Sequence, residues 1–416
     1  MKQAIARVAL GTALTFLPAG GAALAQESVA PAFDPAARTG RESAAIYQLR
    51  RKMLDPDFMA LTFHTMDQIY QTQTVAAPAR PAPLARADRP LDFTYRFEGK
   101  DLPAEAVLED TYTNALLIMK HGKIVYERYR NFTDDRTRFT SMSMAKSITS
   151  ILAGLAADQG AIKSLEDPVT DYIPELKGSA YDGVTVLDVL DMKTGVDRND
   201  GDQLKPGTVE AARREEMLIR NARPMVDEAA MVGRKTKPGA TFDYSTLNAT
   251  VLGWIVERAT GVPLTEFTSR WLWRPLGAET PAYWMTDGPD DKGRPMTGLG
   301  FNATLRDYGR VGQMMLDMGR FNGRQILSED WVRKSTRGPH PAISDKFPRG
   351  YQFMWWTVPD EQAFMADGLG GQAIFVDPAT DTVIVKLSYV PSTPEARKAG
   401  GEAMAFMQAA SAWKGR

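Results

Sequence analysis

The 416-residue sequence contains no cysteine. That excludes disulfides, a thiol nucleophile, iron–sulfur clusters and thiolate-bound zinc. Histidine is nearly missing: His64, His121 and His340 are the only three. No two lie within helical or hairpin reach in sequence, so a histidine metal site is not expected. A Ser-His-Asp triad would have to draw on one of these three. Neither sign of charge dominates, since 50 Lys and Arg face 51 Asp and Glu for a formal net charge of −1. Nothing in that balance points to nucleic acid as a partner. After the first residues no stretch reaches the ~18 uncharged apolar residues of a membrane span. H-E-x-x-H and P-loop motifs are also missing.

What is present is the make-up of a folded protein. Hydrophobic residues are 44% and charged residues 24% of the chain, near globular averages. The start differs. Lys2 and Arg7 flank an apolar run from Val8 to Leu17, and Ala23-Leu24-Ala25 follows. This is the layout of a cleavable secretory leader over residues 1–25, with cleavage expected after Ala25. A periplasmic or secreted destination follows as an expectation.

From Gln26 to about Pro90 the chain is mixed, and Ala76 to Pro90 is rich in proline, alanine and arginine. That composition predicts an extended linker or surface wrap. Residues 114–119 and 124–129 are two β-rich runs around His121-Gly122, a hairpin. His121 is therefore read as a turn residue. From Met144 the period changes: Met144, Ile148, Ile151, Leu152 and Leu155 mark one helical face, and Gly160 ends it. Leu247, Val251, Leu252, Ile255 and Val256 mark another helix, ended by Gly261. Residues 161–340 read as mostly helix and loop. Tyr351 to Val358, Ala373 to Val376 and Thr382 to Leu387 return to strand, and Glu395 to Trp413 reads as a closing helix. Strands at both ends around a helical middle predict an α+β fold, an antiparallel sheet with a helical insertion.

Three constellations could carry chemistry. Ser143-Met144-Ala145-Lys146 opens the first helix and puts a hydroxyl and an amine on one face, one turn apart. A serine needs a base to become a nucleophile, and a neutral lysine can be that base. The helix N-terminus also favours negative charge developing nearby. The bland alternative is an ordinary N-cap serine. A second S-x-x-K, Ser411 to Lys414, sits at the end of the chain and reads as chance. Tyr244-Ser245-Thr246-Leu247-Asn248 follows the turn Lys237-Pro238-Gly239 and precedes a helix, a junction able to present a phenol to a cleft. Gly368-Leu369-Gly370-Gly371-Gln372 precedes a strand. Its glycines permit close backbone approach by a ligand, and the strand could aim an N–H at a bound carbonyl oxygen. The same run fits G-x-G-x-x-A, but a dinucleotide fingerprint needs a helix next, not a strand. No G-x-S-x-G elbow is present.

Taken in order, these motifs resemble the serine β-lactamase and penicillin-binding protein superfamily. The closer likeness is to its class C-like branch of esterases and 6-aminohexanoate-dimer hydrolases. Thr140 to Ser150 is similar to the nucleophile helix, Tyr244 to the family tyrosine, and Asp307 to Gly312 to its R-D-x-x-R-x-G segment. Gly350 to Trp356 and Ala366 to Pro378 resemble its late strands, and Phe63 to Thr72 resembles the N-terminal extension of the amide-hydrolase branch. The resemblance implies a β-lactamase-like fold over residues 91–416, with a mainly helical insertion at roughly 147–340 and an extension at 26–90. It implies a serine hydrolase working through an acyl-enzyme on Ser143, with Lys146 and Tyr244 sharing the proton work. The backbone N–H groups of Ser143 and Gln372 would form the oxyanion hole. Thr246, Asn248, Leu369, Gly370 and Gly371 would contact the substrate, a small ester or amide. No metal or cofactor is implied. Two departures stand out. Thr246 replaces asparagine in the family's Y-x-N, and Leu369-Gly370-Gly371 stands where K-T-G is usual. The lost lysine normally helps hold a substrate carboxylate, so esters or neutral amides are favoured. A periplasmic D-amino peptidase or β-lactamase acting on cell-wall peptides is a second reading. A catalytically inactive module that only binds is a third.

Overall fold

The computed structural model of the protein describes residues 42–414, except 199, 204, 289–292, 338–341, 344–348 and 359–361. The expected leader at residues 1–25, and His340, lie outside the described residues.

The β-rich runs assemble into one eight-stranded sheet. In chain order its strands are β1 (Ala85–Arg86), β2 (Thr113–Lys120), β3 (Lys123–Tyr129), β4 (Gly350–Gln352), β5 (Trp355–Thr357), β6 (Phe364–Gly368), β7 (Gln372–Asp377) and β8 (Thr382–Ser388). Their spatial order is β4-β5-β6-β7-β8-β2-β3-β1. Every pairing is antiparallel except the short edge contact of β1 with β3. The expected hairpin is β2–β3, and His121 and Gly122 turn it with φ of 50° and 70°. Alternation along β2 then fixes two faces. Ala115, Leu117 and Met119 join the larger core cluster, while Leu116 and Ile118 join a second one.

Five helices matter here: α1 (Ala44–Lys52), α2 (Met144–Asp158), α3 (Thr246–Thr260), α4 (Leu305–Leu316) and α5 (Ala399–Ala412). The apolar faces of α2, α3 and α4 fill the larger cluster, and Phe406, Met407 and Ala410 of α5 close the other face. Both glycine stops hold, with Gly160 and Gly261 at φ of 72° and 68°, a region open to glycine at little cost. The α+β fold is therefore the observed one.

Between α2 and the late strands the structure departs from the reading of helix and loop. Ala282–Met285 and Phe301–Thr304 are strands. With Thr72–Val75 and Arg138–Thr140 they form a separate four-stranded sheet. All four residues of each are buried, so no period-two alternation betrays them. The run from Tyr351 to Val358 is likewise two strands. They are reversed at Phe353 and Met354, both in the left-handed region at φ of 47° and 61°.

Residues 42–75 are tied to the body by an unusual anchor. Arg50 of α1 is fully buried and donates to Ile69 O (2.6 Å), Ile219 O (3.1 Å) and Glu42 Oε2 (2.7 Å). Residues 76–90 then run extended along the surface, where Ala82 N–H donates to Gly277 O at 2.9 Å before β1 pairs.

Candidate active site

Ser143 stands where the small sheet hands over to α2. Ser141 N–H still donates to Phe301 O (2.8 Å) as the last link to the small sheet. Met142 is left-handed at φ 44°, a strained state for a residue with a side chain. It turns the chain abruptly, and Ser143 takes the N-cap position of α2. Its hydroxyl makes no capping bond. The N-cap explanation of this serine therefore fails, and its Oγ is left for other partners.

Those partners are the two residues read from the sequence. One turn along, buried Lys146 brings Nζ to 3.1 Å from Ser143 Oγ. Tyr244 lines the same cleft as Ser143, close enough that the serine hydroxyl lowers the proton affinity of its phenol. Lys146 Nζ lies 4.9 Å from the Tyr244 ring centroid. It also donates to Gly298 O (2.8 Å) and Thr246 Oγ1 (3.1 Å). Trp356 holds the Tyr244 ring from behind, stacked at 5.7 Å and 22°, with Tyr351 edge-on at 5.8 Å.

Burial sets the proton affinities. Desolvation pulls Lys146 down to about 8, with Arg198 adding to the effect and Asp200 opposing it. Desolvation pushes Tyr244 well above its ordinary value, and the carboxylates of Asp200 and Asp367 push the same way. At neutral pH the phenol keeps its proton, while roughly one lysine in ten is a free amine. In that neutral form two N–H bonds suffice for Gly298 O and Thr246 Oγ1, and the lone pair faces Ser143.

Other expected residues fall on either side of the cleft. Thr246 and Leu369 line it together with Ser143 and Tyr244. Thr246, at the position of the asparagine in the related motif, is thus a partner of the lysine. Asn248 does not reach the cleft. It is fully buried, and its Oδ1 accepts from Tyr181 Oη (2.8 Å) and Thr194 Oγ1 (3.0 Å). Gly370 and Gly371 also face elsewhere: a Cβ at Gly370 would stand 2.4 Å from the Phe63 ring, and one at Gly371 3.0 Å from Val390. Gln372 pairs with Gly368 across the β6–β7 turn, and its buried amide donates to Gly370 O (3.2 Å) and Ser388 O (2.6 Å). It braces the turn, and Leu369 is the turn residue at the cleft. Gly368 packs directly under the nucleophile. A Cβ there would lie 2.4 Å from Ser141 O and 3.1 Å from Ser143 N, so only glycine leaves the Ser143 N–H open.

The cleft has a volume of about 200 Å³. Met53 and Leu54 from the N-terminal extension, with Met217, Met225 and Leu299, make its apolar part. A band of charge crosses the other side. Asp200 pairs with Arg198 (3.0 Å) and accepts from Thr246 N–H (2.5 Å). Arg198 and Arg213 both pair with Glu228, at 2.8 and 2.9 Å. No sequence signal announces this band, because its members, from Arg198 to Glu228, are scattered without a motif. Among the described residues, no group of acidic or histidine side chains is placed to hold a metal. No helix among them is long and apolar enough to cross a membrane.

The chain is similar to several known proteins. The Beta-lactamase family model matches residues 108–407. A 6-aminohexanoate-dimer hydrolase of Paenarthrobacter ureafaciens is 36% identical over 305 residues, 70% of this chain and 76% of that one. A structure from Bacillus anthracis, assigned as a 6-aminohexanoate-dimer hydrolase, superposes with a TM-score of 0.76 at 25% identity. It covers 86% of this chain and 95% of its own. A D-alanine carboxypeptidase of Burkholderia cenocepacia shares the fold with a TM-score of 0.53 at 18% identity, covering 73% and 96%.

Proposed function

This chain belongs to the β-lactamase family as a serine hydrolase, and on that premise we propose that Ser143 is its nucleophile and a linear amide its substrate. The observation that carries the reading is the contact of Ser143 Oγ with a buried lysine amine at 3.1 Å, where burial brings Lys146 to about 8. Neutral Lys146 takes the Ser143 proton as Oγ attacks the carbonyl carbon. The oxyanion forms beside the Ser143 N–H at the start of α2, where the helix dipole also helps. Leu369, rather than Gln372, offers the second N–H, since Leu369 is the residue of that turn on the cleft. The proton then passes through the Tyr244 hydroxyl to the departing amine, and the acyl-enzyme forms as the C–N bond breaks. Water hydrolyses the ester on Ser143 and restores the enzyme.

An amide of ω-amino acid type is favoured over a cell-wall peptide by the named relative and by the narrow, methionine-rich cleft. The sequence supports residues 91–416 as the hydrolase domain, 26–90 as its extension, and a periplasmic or secreted location through the leader at 1–25. The test is hydrolysis of p-nitrophenyl butyrate and of the linear 6-aminohexanoate dimer by the mature chain, beside a folded Ser143→Ala variant. Turnover of both by the wild type alone is expected. Equal rates in the variant would remove Ser143 from the chemistry.

A further inference from the structure

We propose that Arg214 seats a substrate carboxylate, so that the amide cleaved at Ser143 belongs to a chain that ends in an acid. This deepens the function proposed above and rests on Ser143 being the nucleophile. The argument starts from charge accounting along one wall of the cleft. The neighbouring arginines are all committed: Arg51 and Arg220 to Glu215, Arg213 to Glu210 and Glu228, and Arg198 to Asp200 and Glu228. Arg214 lines the cleft among them, and among the described residues its side chain has neither an ion pair nor a hydrogen bond. Its Nε is fully buried without a partner. Glu215, next in the chain, is spent on Arg51 and Arg220, and the Tyr70 hydroxyl is spent on Leu218 O.

A half-buried guanidinium without a counterion costs a fold stability, and proteins seldom keep one idle. Desolvation lowers the proton affinity of Arg214, and the nearby Tyr70 and Glu215 offset it only in part. A carboxylate entering the cleft would supply the missing charge and both acceptors of a bidentate pair. The rest of the cleft agrees. The turn beside Ser143 presents Leu369, an apolar side chain, so no cation there competes for the acid. Met217 and Leu218, on the same helical segment as Arg214, line the cleft with flexible apolar surface suited to a methylene chain.

Binding is measured first, free of turnover, on the full Ser143→Ala protein. Calorimetric titration compares 6-hexanamidohexanoate with its terminal carboxamide, which differs only in charge. The acid is expected to bind about ten- to a hundredfold more tightly. Adding Arg214→Met should bring the ratio to about one, whereas Arg214→Lys should keep part of it. Equal binding of the two ligands, or a preference that survives Arg214→Met, would overturn the proposal. Melting curves of both Arg214 variants identify a folding defect, and a stable Arg214→Lys with no preference counts against the carboxylate seat. Ester turnover that persists in Ser143→Ala would sink the nucleophile assignment instead, and the binding ratio does not depend on it.

Discussion

The amine of Lys146 donates to the carbonyl oxygen of Gly298 at 2.8 Å. A carbonyl can only accept, so this contact fixes one N–H and fixes the orientation of the whole amine. With Thr246 Oγ1 holding a second direction at 3.1 Å, the third direction is left for Ser143. The serine and lysine are paired by helical spacing, but the lysine is aimed by residues 100 and more positions away.

That aim has a consequence in pH. Lys146 must be neutral to accept the serine proton, so kcat/KM should rise with pH and level off above about 8. The Asp200 carboxylate favours the ammonium form, so Asp200→Asn should move the midpoint to lower pH. Tyr244→Phe removes no charge at these pH values. It should leave the midpoint in place and lower kcat by ~10²–10⁴-fold. A pH–rate profile of the three proteins checks this, and a midpoint that stays put in Asp200→Asn would argue for a different base.

Gly368 leaves the space in front of the Ser143 N–H clear. Gly368→Ala would put a methyl 3.1 Å from that nitrogen and 2.4 Å from Ser141 O. Loss of one oxyanion donor costs ~10²–10³ in kcat, so kcat should fall by at least that much with a smaller change in KM. Steady-state kinetics beside a melting curve separates this from simple unfolding.

Phe63 joins the N-terminal extension to the site. Its carbonyl accepts from Thr140 N–H at 2.9 Å, two residues before the bend at Met142, and its ring packs on Gly370. Phe63→Ala should destabilise the protein by ~3–5 kcal/mol, as for other buried phenylalanines. Chemical denaturation measures that. Because Met53 and Leu54 line the cleft from the same extension, KM for an aliphatic amide should rise in the same variant.

Spacing and local chemistry alone determined the hairpin at His121-Gly122, the helices that follow Ser143 and Ser245 and their glycine stops, while the trio Ser143, Lys146 and Tyr244 was legible only through the ordered likeness of the motifs to a known family. The hairpin, the helices and their stops are local facts: a period of 3.6 or 2, or a turn residue. Tertiary structure decided the rest. Asn248 sits two positions from Thr246 in sequence, yet helical geometry turns it into the core while Thr246 meets the lysine. Gln372 and Leu369 share one glycine-rich turn, and only the register Gly368↔Gln372 shows which of them braces the turn and which faces the cleft. The strands at 282–285 and 301–304 were hidden because burial on both faces erases alternation. The downward shift of Lys146 and the unpaired charge of Arg214 could not be read from sequence at all. Desolvation depends on what surrounds a group in space, and those neighbours come from segments far apart in the chain.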